Sequence, residues 1–287
     1  MTGGVHIDLD GAWDRERVGM RTIDARELGA HLRYTAPEEV VRRSVGVMEE
    51  GLGEERFVLY GSGDFHYLAA WWLRRAIRLS GAEGVTLVSF DNHPDWDVRP
   101  PRWACGGWVN RALEFAAVER ASVWGCGNFE LGFPARVFRN KRALAIGKLE
   151  VHAWAERQSA AVARKFGCMT RGNWRERFLG FVESVKGRSV YVTLDLDALE
   201  GTLVRTNWEN GLFAVEDVVW AVGMLRERAT VIGSDCCGAW SEAVYARAGQ
   251  RFVGRWDHPK IVGVGVEEAR GVNHRVLGEL LPVMMGG

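Results

Sequence analysis

Along this chain, short unbroken apolar runs end in glycine or acidic residues and give way to stretches with helical spacing, and the alternation repeats from end to end. Phe57–Tyr60 is such a run. Gly61–His66 closes it as a turn, and Tyr67–Ser80, rich in Ala, Leu, Trp and Arg, reads as a helix. Val5–Leu9 reads as an earlier strand, and Leu28–Gly53 carries mixed helical periodicity. The apolar run that opens at Val85 predicts a buried strand with the acidic stretch Asp91–Asp97 after it. Arg99–Arg102 contains two prolines and must be loop. Beyond it the pattern predicts a helix over Trp108–Val118, short strands at Ala121–Trp124 and Ala143–Ile146, and helices over Val151–Phe166 and Trp174–Val185. The β-branched run Ser189–Leu194 predicts another strand, with Asp195 and Asp197 at its end. A helix at Val215–Arg228, strands at Thr230–Ile232 and Ile261–Val266, and a last helix near Arg275–Leu281 complete the reading.

Strands alternating with helices of this size predict an α/β fold whose mainly parallel sheet is covered on both faces. No repeat, low-complexity tract or linker divides the chain, so residues 1–287 read as a single domain. In such folds ligands bind beyond the carboxyl ends of the strands. Three polar clusters occupy that place: Gly61–His66, Asp91–Asp97 and Asp195–Asp197. Gly61 and Gly63 begin like a dinucleotide fingerprint, but His66 stands where the third glycine belongs, which argues against that cofactor.

Composition narrows the partners. Apolar residues make up 47% and charged ones 26%, as in an ordinary globular protein. Lys plus Arg equals Asp plus Glu at 37 each, so no whole-chain field favours nucleic acid or an anionic membrane, and specificity must come from a local site. No apolar stretch is long enough to span a bilayer. The five cysteines are odd in number and lack paired spacing for zinc or redox chemistry, which predicts a reducing compartment and a cytoplasmic location.

The clusters carry chemistry. Asp91, His93 and Asp95 fall on alternate positions, as do Asp195 and Asp197, and in extended chain such residues share a face. Acids packed this closely are costly to desolvate unless something positive sits between them. Four aspartates (Asp91, Asp95, Asp195, Asp197) balance two divalent cations, and His66 and His93 add coordination without charge. A set of only oxygen and nitrogen donors favours manganese, with zinc, iron or cobalt also compatible. Two ions about 3.5–4 Å apart can share a water and lower its pKa towards neutrality. The product is a water-activating hydrolase.

Gly63-Asp64-Phe65-His66, Asp91-Asn92-His93-Pro94-Asp95 and Thr193-Leu194-Asp195-Leu196-Asp197 resemble the three metal-binding motifs of the arginase/agmatinase/formiminoglutamase (ureohydrolase) family, in that order. The resemblance implies a three-layer α/β/α fold, two Mn²⁺ ions and hydrolysis of a guanidino or amidino C–N bond in a small molecule. It implies His66, Asp91, Asp95 and Asp195 around one ion, and Asp91, His93, Asp195 and Asp197 around the other, with Asp91 and Asp195 bridging. It also implies that Glu216, in Asn210–Glu216, faces the substrate guanidinium, although an acid opening a helix is favoured by the dipole in any case. Family members often form homo-oligomers. The chain departs from the family in three places: Phe65 intervenes in the first motif and leaves Asp64 as an alternative ligand; Glu200-Gly201 replaces the usual Asp-Pro; and Ala104–Gly107 lacks the His-Gly that serves as a proton shuttle. Loss of such a group costs ~10²–10⁴ in rate. Two rival readings follow: a zinc deacetylase of related fold acting on an amide substrate, and a metal-binding, non-catalytic protein.

Other polar residues have plainer readings. His6, Asp8 and Asp10 fit a first edge strand with solvated acids, Asp97 a cap or a partner of the ligands, and His152, His258 and His274 surface or packing positions. Cys236 and Cys237 follow a strand and read as small buried hydrophobes, flanked by Asp235 and Glu242 as capping or surface acids.

Overall fold

The computed structural model describes residues 3–259 and 265–286. Its strands are β1 (Gly4–Asp8), β2 (Arg21–Asp24), β3 (Phe57–Leu59), β4 (Val85–Phe90), β5 (Val118–Cys126), β6 (Leu149–Ala153), β7 (Ser189–Asp195) and β8 (Thr230–Cys237). They form one sheet in the order β2-β1-β3-β8-β7-β4-β5-β6, with every pairing parallel. The central strands are apolar and buried throughout β4 and in nearly all of β7, because helices cover both faces. On one face the core gathers Leu68, Trp72, Leu73, Trp108 and Val109 against Leu87, Val123 and Tyr191. On the other, Phe178, Val182, Val218, Val222, Leu277 and Leu280 pack against Val88, Val190 and Val192. This is the three-layer α/β/α arrangement that the pattern and the resemblance imply.

The strand order matters for function. β3, β8, β7 and β4 are neighbours at the centre, and their carboxyl ends deliver Gly61–His66, Cys237, Asp195 and Asp91 to one rim.

Several sequence expectations change. Ala143–Ile146 is not a strand: Lys141–Ala145 is a helical turn capped by Asn140, whose side chain accepts from the Ala143 amide. The strand lies later, at β6, inside the segment that reads as helix over Val151–Phe166, and helix resumes only at Ala160. Glu150 and His152 make that edge strand look amphipathic at either period. The Trp108 helix stops at Ala112, and β5 begins at Val118. β2 escapes the pattern because an edge strand reading Arg-Thr-Ile-Asp has little apolar signal. β1 is interior, so His6 and Asp8 are buried and not solvated. Arg15 and Arg26 reach Asp8 at 2.6 and 2.8 Å, and Asp10 accepts from the Ser62 amide. The strand expected at Ile261–Val266 lies mostly outside the described residues, and Val266 opens the final helix, Val266–Met285.

Candidate metal centre

β4 ends at Phe90, so strand alternation does not arrange Asp91, His93 and Asp95. A compact loop does. Asp91 accepts the His93 amide at 2.7 Å, and Asp95 takes a left-handed backbone (φ +46°), a conformation aspartate tolerates better than most residues. The reversal after Pro94 turns the Asp95 carboxylate back towards His66. Asp195 likewise ends β7, and a single 3₁₀ turn, in which Asp195 accepts the Asp197 amide at 3.0 Å, brings the second carboxylate alongside.

His66 Nδ1 lies 3.0 Å from Asp91 Oδ2 and 3.5 Å from Oδ2 of both Asp95 and Asp195. His93 Nδ1 lies 2.9 Å from Asp197 Oδ2 and 3.5 Å from Asp91 Oδ1. Asp91 therefore stands between the two imidazoles with one oxygen towards each. Donor atoms of His66, Asp91 and Asp95 all fall within 4.8 Å of one another, as do those of Asp91, His93 and Asp197 and, as a third group, those of His66, Asp195 and Cys237. Asp195, expected to bridge, joins only the His66 side among these groups.

Asp64, the alternative ligand, points elsewhere. It is paired with Arg33 Nε and His258 Nε2, both at 2.6 Å, and against the cost of burial these two partners hold its pKa down at about 2. The 3₁₀ turn Gly63–Leu68 sends His66 in the other direction, which absorbs the intervening Phe65.

Glu216 is placed away from the centre. It is exposed on the first turn of the helix Val215–Arg228 and does not line the cavity described below. Val215, Val218, Ala221 and Val222 set the helix phase against the sheet, and that phase turns position 216 to solvent. The expected substrate contact is therefore corrected: here the acid sits at a helix N-terminus.

Electrostatics couple these groups tightly. Burial and the neighbouring Asp91 push Asp95 up to about 7, and burial raises Asp195 and Asp197 as well. Against burial, the carboxylates of Asp91 and Asp95 beside it hold His66 well above the usual imidazole range. Asp91 Oδ2 is buried without a hydrogen-bond partner. Four buried carboxylates, two imidazoles presenting Nδ1 and an orphaned carboxylate oxygen between them fit a pair of divalent cations.

Supporting groups hold the donors in place. His66 Nε2 meets Thr193 Oγ1 at 3.0 Å, and Thr193 donates to Asp235 Oδ1 at 2.8 Å. Tyr60 and Tyr191 also donate to Asp235, at 2.9 and 2.6 Å; burial nonetheless raises that carboxyl to about 6. Trp108 Nε1 donates to Asp95 Oδ2. An acid inside the buried strand β8 was the available signal for Asp235. Partners of this kind fix the tautomer and orientation of a ligand, and losing one costs ~10–100-fold in metal affinity. Thr193→Val is expected to weaken metal binding by that factor with the fold retained, as measured by titration of the metal-free protein.

The cluster forms the floor of a cavity of about 690 Å³ whose walls include Tyr34, Trp96, Asp97, Glu130, Trp208, Trp256 and Asp257. Burial raises Glu130 to about 8, and its Oε2 is enclosed without a partner. His152 stacks on Trp124 outside this cavity, and His274 accepts the Asp14 amide. Among the described residues no helix is long and apolar enough to cross a membrane.

No protein-family model matches the sequence, and no curated protein matches it. Solved structures do share the fold. A hypothetical agmatinase from Burkholderia thailandensis is 17% identical with a TM-score of 0.55, over 99% of this chain and 86% of that one. Proclavaminate amidino hydrolase from Streptomyces clavuligerus is 15% identical with a TM-score of 0.53, over 99% and 92%. A triple mutant of an arginase-like protein from T. brucei, bound with Mn²⁺, is 10% identical with a TM-score of 0.51, over 99% and 91%.

Proposed function

We propose that this chain, which has the arginase/agmatinase (ureohydrolase) fold, is a metal-dependent hydrolase that cleaves the C–N bond of a guanidino or amidino group in a small molecule. The observation that carries this reading is the place of Asp91 between the His66–Asp95 and His93–Asp197 groups, with Asp195 beside His66, and its Oδ2 left without a hydrogen-bond partner. The six oxygen and nitrogen donors favour manganese, which is bound in the triple mutant of the arginase-like protein of the same fold. Two such ions, when bound, supply a water acidic enough to act as nucleophile near neutral pH.

The chain's own groups do the rest. His66 and His93 present Nδ1 to the centre, and Thr193 and Asp235 fix the orientation of His66. Trp96 and Trp208 take part in walling the cavity above the floor. A guanidinium entering it meets Asp97, Glu130 and Asp257 on the walls. The Glu130 carboxyl, held protonated to about pH 8 by burial, ionises against the arriving cation and offers two oxygens to paired N–H groups.

Glu130→Gln tests that contact twice. A charge-assisted hydrogen bond contributes about 1.5–3 kcal/mol, so KM for a cationic substrate is expected to rise ~10–100-fold with kcat less affected. The same variant changes stability with pH. A carboxyl raised from 4.5 to about 8 in the folded chain contributes stability below pH 4.5 that is lost as pH climbs towards 8. Urea unfolding of the metal-free variant across this window is expected to give a flatter profile than that of the parent.

The deciding experiment is to strip the purified protein, reload it with Mn²⁺ and screen guanidino and amidino compounds for release of urea or ammonia. Metal-dependent release supports the reading. Two bound ions with no release from a diverse set would favour the non-catalytic alternative, for which one observation speaks: His66 and His93 are the histidines that line the cavity among the described residues, and both belong to the metal cluster.

A further inference from the structure

The third donor group, His66 with Asp195 and Cys237, is not explained by six hard ligands. Cys237 is fully buried, and its sulfur lies 3.4 Å from Asp195 Oδ2, the oxygen that faces His66 Nδ1 at 3.5 Å. The sheet builds this contact. Asp195 and Cys237 are register partners at the ends of β7 and β8, and paired residues of parallel strands project to the same face. Cys236, one residue earlier, projects to the opposite face, lies in the apolar core there, and its sulfur meets only the carbonyl of Cys237. Packing accounts for Cys236. Cys237 packs in the core of the other face as well, but its thiol also donates to the Asp195 carboxylate at 3.4 Å, beside an imidazole.

Separations of 3.4 and 3.5 Å suit atoms that share a cation. Ligand bonds of about 2.0–2.3 Å in a tetrahedral site set neighbouring donors roughly 3.3–3.7 Å apart. The independent sign of a ligand is Asp91 Oδ2, buried, unpartnered and 3.0 Å from the same His66 nitrogen.

We propose that Cys237 is a thiolate ligand of the ion held by His66 and Asp195, so that this position of the pair selects a thiophilic metal such as zinc while the His93 position keeps its hard donors. The inference rests on the metal-dependent reading above and changes the identity of one ion. On binding, the sulfur–metal bond forms as the thiol proton leaves to solvent, so the process carries no redox change. A thiolate among oxygen and nitrogen donors shifts preference away from manganese.

The test is cobalt substitution followed by absorption spectroscopy, with bound metal counted independently. The wild-type protein loaded with Co²⁺ is expected to show a sulfur-to-cobalt charge-transfer band in the near ultraviolet. Cys237→Ser is expected to lose that band while retaining cobalt, Cys236→Ser to keep it, and zinc affinity relative to manganese to fall by ~10-fold or more in Cys237→Ser. Cobalt bound to the wild-type protein without the band would overturn thiolate ligation and leave the metal centre standing. No bound cobalt would overturn both. Should Cys237→Ser fail to fold, X-ray absorption of the zinc-loaded wild-type protein decides instead: a sulfur scatterer at about 2.3 Å supports the proposal, and a shell of oxygen and nitrogen alone refutes it.

Discussion

Asp91→Asn is expected to leave a folded protein that binds neither ion and hydrolyses its substrate more than ~10²-fold more slowly, a larger loss than removal of a supporting group produces. The reason is its position. Asp91 Oδ2 faces His66 at 3.0 Å and Oδ1 faces His93 at 3.5 Å, so this one carboxylate belongs to both halves of the centre. The amide keeps the shape and one acceptor oxygen, so the substituted side chain can still receive the His93 amide that shapes the loop. It loses the negative charge, and one of its two terminal atoms becomes a donor directed at an imidazole nitrogen. Metal counting and calorimetric titration of the variant, with circular dichroism as the check on folding, give the result. Retention of two ions at parental affinity would remove Asp91 from the shared position and sink the bridged arrangement.

Gly238→Ala is expected to damage the centre from behind, by about 2–5 kcal/mol of stability together with loss of the ion beside His66. Gly238 follows β8 with φ +98°, a backbone conformation that costs an L-residue about 1–2 kcal/mol. A methyl group there would overlap Asp195 Oδ1 and stand 2.5 Å from the Leu196 amide nitrogen. The nitrogen belongs to the backbone of the turn that places Asp195 and Asp197, so it cannot step aside cheaply, and overpacking of this kind adds about 1–3 kcal/mol. Gly63 flanks the same carboxylate on the other side, where a methyl would come within 2.7 Å of Asp195 Oδ2. Asp195 thus lies between two glycines, and the centre needs both gaps. Chemical unfolding and metal titration of Gly238→Ala measure the two effects, and parental stability with full metal occupancy would contradict the steric account.

The chain pattern carried the fold class because doubly covered strands such as β4 and β7 are mostly apolar and buried along their length. It failed at β2 and β6, edge strands whose exposed or half-buried polar residues erase the signal, and at Asp8, whose burial depends on arginines supplied by other segments. Glu216 shows a different limit. Its motif placed an acid at the start of the right helix, but the helix phase, fixed by packing on the sheet, turned the side chain outward. Cys237 was legible only as a buried cysteine until β7 and β8 were set in register.

By itself the sequence determined which atoms this protein can offer: hard donors in short runs after apolar strands, with no net charge to draw a polyanion. Tertiary structure decided which of those atoms meet, since Asp64 and His66 are two residues apart yet leave their turn in opposite directions, while Asp195 and Cys237 become neighbours across 42 positions. The physical reason is that side-chain chemistry is local to a residue, whereas proximity is a property of sheet order, register and helix phase, which only the packed chain fixes.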